Sequence, residues 1–191
     1  MTSIEAALRD VLGHLSDAGV SCALIGGLAV SVRTEPRFTR DADLAVGVAD
    51  DREAESLIRR LVASGYRVHA AVEQDTQARL ATVRIASSDL PDAPIIDLLF
   101  ASSGIEQEVV AAAEVLDVLP GLPMRVATYG HLIALKVLAR DDITRPQDVM
   151  DLRGLLRVAS SADLTGAREA LALISARGRF RPSEETSYDR S

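Results

Sequence analysis

The sequence predicts an α+β fold, a mixed sheet flanked by helices with a small helical part at its C-terminal end. Three observations predict it. A central stretch, residues 23–46, reads strand, glycine turn, short helix, strand. Residues 66–86 read as two successive strands with one apolar face. From Thr128 onward the apolar spacing is helical alone. We therefore expect a core over 1–127, a helical part over 128–178 and a disordered polar tail over 179–191 in this chain of 191 residues.

The first helix opens on Thr2-Ser3-Ile4-Glu5, a capping box in which Thr2 and Glu5 satisfy each other's backbone N–H groups. Ile4, Leu8, Val11, Leu12 and Leu15 share one face, and Gly19 ends the helix. An apolar strand, Cys22 to Ile25, breaks at Gly26-Gly27. A glycine pair at a strand-to-helix turn lets the backbone approach a ligand with its N–H groups exposed, which suits phosphate. A short helix, Leu28 to Val32, follows, and the chain returns as a strand from Thr39 to Val46. Asp41 and Asp43 are two apart on that strand, so both carboxylates share a face. Such a pair repels itself unless a cation lies between, the geometry for Mg²⁺ beside a triphosphate.

Asp50-Asp51 opens a helix at the end where negative charge is favoured, Leu57, Ile58, Leu61 and Val62 form its buried face, and Gly65 stops it. Tyr66 to Val72 and Ala78 to Ala86 are strands, and Asp89 to Pro94 is a turn. The strand Ile95 to Phe100 is apolar apart from Asp97. A carboxylate there is costly to bury without a partner, so Asp97 either ends the strand in solvent, caps a turn, pairs with an arginine or completes a metal site. Ile105 to Ala113 is a helix. Val115 to Leu119 and Met124 to Ala127 flank the turn-forming Pro120-Gly121-Leu122-Pro123. Thr128 caps a helix carrying Leu132, Leu135, Leu138 and Ala139, with Lys136 beside that stripe. Pro146 starts the next helix, where Asp148 and Asp151 share a face. Ala162 to Ala176 is the last.

Composition narrows the classes. Hydrophobic residues are 48%, enough for a packed core, and no apolar run is long enough to span a bilayer. No membrane partner is expected. The N-terminus lacks a basic segment, and the one cysteine, Cys22, falls in a core strand, so a cytoplasmic location is expected. A net charge of −7 disfavours broad nucleic-acid binding, and aromatics at 3% disfavour a base-stacking platform. Arg33, Arg37 and Arg40 nevertheless crowd the central stretch, allowing a small positive patch. Lys136 is the only lysine of the chain. Its compact ammonium suits a point contact to phosphate.

Gly26-Gly27, Arg33, Thr39 and Asp41-x-Asp43, followed by Lys136-Val-Leu-Ala-Arg140 and Arg145-Pro-Gln-Asp148-Val-Met-Asp151-Leu, resemble the signature of the polymerase-β-like nucleotidyltransferases. In particular they look like the AbiEii/AbiGii toxin branch, to which the MenT-type toxins belong. The resemblance spans residues 23–152. It implies a polymerase-β-like nucleotidyltransferase fold and transfer of NMP from an NTP to an acceptor hydroxyl. It implies Mg²⁺ (Mn²⁺ as a substitute) on Asp41, Asp43 and a third carboxylate, Asp97. Catalytic roles fall to Asp41, Asp43, Lys136 and Asp151, and nucleotide contacts to Gly26, Gly27, Arg33, Arg40 and Asp148. The implied acceptor is RNA, at the 3′ end of tRNA, and the implied partner is a cognate antitoxin. The chain departs from the pattern where many relatives have Gly-Ser, at Gly26-Gly27, in having Ala42 between the two aspartates, and in being short. Two other readings stay open: a nucleotidyltransferase acting on a protein or a small molecule such as an aminoglycoside, and an inactive nucleotide-binding module.

Overall fold

The computed structural model describes residues 3–37, 39–74, 79–88, 93–139 and 146–178. In chain order these form α1 (Ser3–Asp17), β1 (Ser21–Ile25), α2 (Gly26–Arg33), β2 (Ala42–Gly47), α3 (Asp51–Ala63), β3 (Tyr66–Gln74) and β4 (Arg79–Ser87). They continue with β5 (Ile96–Leu99), α4 (Glu106–Ala112), β6 (Glu114–Leu119), β7 (Leu122–Val126), α5 (Tyr129–Ala139), α6 (Pro146–Val158) and α7 (Ser161–Ala176). Thr2 of the capping box, Ala78, most of the turn at 89–94, Arg140, Arg145 and the tail from 179 lie outside the described residues.

One seven-stranded mixed sheet runs in the order β3-β4-β5-β2-β1-β7-β6. β2 is antiparallel to β1 and parallel to β5, β4 is antiparallel to β5, and β7 joins β1 in parallel. The central strands are almost continuously apolar, as strands covered on both sides must be: Ala23, Leu24, Leu44, Ala45, Val46 and Leu98 are fully buried. α1 supplies Leu8, Val11 and Leu15 to this core, as its stripe predicts. Asp50 caps α3 by accepting from the Glu53 N–H, and Leu57 and Leu61 face inward.

Two boundaries differ from expectation. β2 starts at Ala42 rather than Thr39 because its neighbours end there: Ile25 of β1 pairs with Asp43, and Ile96 of β5 with Ala42. Asp41 thus precedes the strand, exposed. The β6–β7 turn contracts to Pro120-Gly121, with Gly121 at φ 68° and Pro123 drawn into β7 opposite Asp117.

α5, α6 and α7 pack on one another, and α2 bridges β1 and β2 to α5 and α6. At that bridge Arg33 Nε and Nη2 donate to the Ala127 and Val126 carbonyls, and Nη2 lies 2.7 Å from Glu114. The Tyr129 hydroxyl donates to the Arg33 carbonyl while its ring lies under the guanidinium. Arg33 was expected at the phosphates. It stitches the sheet to the helical part instead, because its guanidinium, with the side chain 6% exposed, is filled by these partners.

Candidate active site

Register builds the first half of the site. Ile25, Asp43, Asp97 and Arg84 form one row across four strands, since Ile25 pairs with Asp43, Asp43 with Asp97, and Asp97 with Arg84. In-register neighbours share a face, so Asp43 and Asp97 stand side by side. Gly26 makes the row possible. It lies at φ 65°, and a Cβ there would fall 1.8 Å from the Asp43 carboxylate. The glycine is therefore required twice, by its backbone and by the carboxylate lodged against it. Gly26 is also the first residue of α2, whose N-terminus has no side-chain cap and offers its N–H groups to the same space.

Burial pushes the Asp43 carboxyl up to about 6; neighbouring Asp97 and Asp41 push the same way, while Lys136 and Arg84 oppose them. Asp97 meets Arg84 in a bidentate pair, Nε–Oδ1 2.8 Å and Nη2–Oδ2 2.7 Å. Of the roles open to Asp97 from sequence, the structure shows the arginine pair.

The second half comes from α5 and α6. Lys136 Nζ lies 2.6 Å from Asp148 and 2.8 Å from Asp151, its side chain 12% exposed. Asp151, buried, also takes two hydrogen bonds from Arg37, at 3.0 and 2.8 Å, and one from Gln147. Burial pushes Asp151 up, but the bonds from Lys136 and Arg37 outweigh it and hold the carboxyl below its ordinary range. The two halves face one cleft of about 700 Å³, lined by Gly26, Asp43, Arg84, Asp97, Lys136 and Asp148 among others. Leu99, Leu135 and Leu138 supply apolar wall, and Thr82, Ser102 and Ser103 add hydroxyls.

The structure thus brings Gly26, Asp43, Asp97, Lys136 and Asp148 to one cleft, with Asp151 behind Lys136. Asp41 lies one residue outside β2 yet acts electrostatically on Asp43. Arg40 is exposed beside it. Two residues were missed. Arg84 carries no motif, and only its register with Asp97 reveals it. Arg37 was read only as part of a positive patch, and its role had a second signal in the unusual second glycine: a Cβ on Gly27 would fall 2.5 Å from Arg37 Nη2, so the guanidinium fills the space a serine there would need.

A divalent cation can be weighed against this donor set. Among the described residues no three His, Cys, Asp or Glu side chains converge as a ready-made cage. Mg²⁺, however, is ordinarily held by one or two carboxylates together with substrate phosphates. A costly, half-buried Asp43 beside Asp97 and Asp41, under an uncapped helix N-terminus, fits that kind of shared site.

The seven-stranded mixed sheet with its carboxylate row beneath a glycine turn has the polymerase-β-like nucleotidyltransferase fold. The chain belongs to the family described as nucleotidyl transferase AbiEii toxin, type IV TA system, whose model matches residues 10–189. No curated protein matches it. Among solved structures it is similar to the antibiotic-resistance factor ANT(2'')-Ia, at 17% identity and a TM-score of 0.55, covering 90% of each chain. It is also similar to an antigenic nucleotidyltransferase-like protein from Paracoccidioides brasiliensis, at 16% identity and TM-score 0.52, covering 88% of this chain and 85% of that one. A third is the lincosamide antibiotic adenylyltransferase LnuA, at 13% identity and TM-score 0.50, covering 80% of this chain and 96% of that one.

Proposed function

We propose that the protein transfers NMP from a magnesium-bound NTP to the 3′ end of an RNA, tRNA in the first instance, and so acts as the growth-arresting toxin paired with an antitoxin. The observation that carries the reading is the Asp43–Asp97 row facing Lys136 across one cleft. Asp41 and Asp43, joined by Asp97, would hold Mg²⁺ (or Mn²⁺), which supplies charge neutralisation at the triphosphate. The N–H groups opening α2, at Gly26 and Gly27, orient the terminal phosphates. Lys136 places its ammonium opposite the carboxylates, and Asp151 and Asp148 fix where that ammonium points. The acceptor oxygen bonds to the α-phosphorus, the bond to the β-phosphate breaks, and pyrophosphate leaves. The hydroxyl proton is released to the carboxylate row. Arg40, exposed and next to Asp41 in the chain, is the candidate for a phosphate or acceptor contact.

Incubation with labelled NTPs and total RNA, total protein or small-molecule acceptors tests this by which fraction takes up label. Label in RNA, abolished by Asp41→Ala, is the expected result; transfer undiminished in that variant would refute the assignment. A small-molecule acceptor is the second reading, favoured by the net charge of −7, which repels nucleic acid.

A further inference from the structure

Both cations that line the cleft are engaged, but differently. Lys136 is held between two carboxylates with its side chain 12% exposed. Arg84 is 48% exposed and held by Asp97 from an adjacent strand. The fork occupies both Asp97 oxygens, each at hydrogen-bond distance. A cation approaching Asp97 therefore competes with the guanidinium for the charge of the carboxylate and for the lone pairs that the fork already holds. The Asp97 carboxylate itself is nearly buried, on a strand flanked by β2 and β4, so it is Arg84 that has room to leave. Arg84 also lies within electrostatic reach of Asp41 and Asp43. Its charge thus offsets the negative charge of the carboxylate row.

We propose that Arg84 is a positioning residue that closes the metal site by holding Asp97, and that arrival of a metal–triphosphate transfers its fork from Asp97 to the terminal phosphates. The inference rests on the nucleotidyltransferase reading above. Its physical content is an exchange of partners. Asp97 trades an arginine for a divalent cation, and Arg84 trades a carboxylate for phosphate oxygens that match its fork equally well. No charge is left unpaired at either end. The exchange makes metal binding weak without nucleotide and stronger with it, since the triphosphate offers Arg84 somewhere to go. Metal and triphosphate then assist each other reciprocally.

Two measurements with opposite expected signs test this on the full chain. Mn²⁺ binding to the nucleotide-free protein, followed by loss of the free-ion paramagnetic resonance signal, should tighten about three- to tenfold in Arg84→Gln, because the competing cation is gone. In the presence of Mn²⁺, affinity for a non-hydrolysable NTP analogue should fall about tenfold in the same variant, while affinity for the matching NMP stays unchanged. A guanidinium that only braces β4 against β5 would leave Mn²⁺ affinity unaltered. Unaltered or weakened Mn²⁺ binding, or equal losses for NMP and NTP, overturns the proposal. Arg84→Lys, which keeps the charge without the fork, provides a second variant and should fall between the parent and Arg84→Gln in both Mn²⁺ affinity and triphosphate preference. Neither readout requires NMP transfer, so an error in the assigned reaction and an error in the role of Arg84 give different results.

Discussion

Asp43 and Asp151 face each other's neighbourhoods across one cleft and have opposite fates. Burial and adjacent carboxylates push Asp43 up to about 6. Asp151 is more deeply buried, yet Lys136 and Arg37 pull its carboxyl down. The difference lies in the supply of partners. The sheet row sets acid against acid and leaves the deficit of positive charge for an incoming ligand to correct. Asp151 on α6 is surrounded by Lys136, Arg37 from the segment before β2 and the Gln147 amide, and serves architecture. A site of this kind keeps one carboxylate unsatisfied and another saturated, so that the second can hold steady while the first receives substrate.

The largest effect should come from breaking the saturated side. Asp151→Ala takes the carboxylate from Arg37 and leaves Lys136 with Asp148 alone, and denaturant unfolding should register a loss of about 3–5 kcal/mol. Next is Gly26→Ala, which forces a side chain into φ 65° and into the Asp43 carboxylate. A loss of about 2–4 kcal/mol is expected in the same assay, with NMP transfer falling alongside. Asp43→Asn should go the other way. It removes a charge that folding disfavours, so metal-free stability at pH 7 should rise by up to about 3 kcal/mol while transfer is lost.

That gain has a pH signature of definite sign. The folded-state pKa of Asp43 is raised from an ordinary 3.8 to about 6, so the native state binds more protons than the unfolded chain between those values. Its cost is absent below about 3.8, grows as pH rises, and is complete above about 6. Parent and Asp43→Asn should therefore converge in stability on acidification. Asp151, held low, contributes stability above the ordinary carboxylate range and loses it as pH falls further. The smallest effect belongs to Gly27→Ala, under about 1 kcal/mol, because only the far end of Arg37 must move; a large loss there would mean that the Arg37–Asp151 pair is rigid.

Most of this comparison was legible in the sequence, for local reasons. A glycine pair after a strand, a carboxylate on the next strand and two aspartates a helical turn apart are spacing signals, and spacing survives folding. Asp97 stood out because charge in an apolar strand demands a partner. What stayed hidden depended on register and on chain ends. Arg84 belongs to the site only because β4 pairs with β5 at Asp97. Arg33 looked like a phosphate ligand by proximity in sequence, yet the turn of α2 directs it to Val126, Ala127 and Glu114. Asp41 misses β2 because both neighbouring strands run out of partners first.

The Arg33 stitch also bears on how the molecule can be rearranged. Its bonds reach across the very peptide segment where sheet gives way to helices, with Tyr129 returning one to the Arg33 carbonyl. Ala127 is itself tied to Leu24 through its N–H. A chimera joined at residues 127 and 128 would therefore inherit a mismatched clasp, and grafting the α5–α7 segment from a relative should succeed only when α2 travels with it.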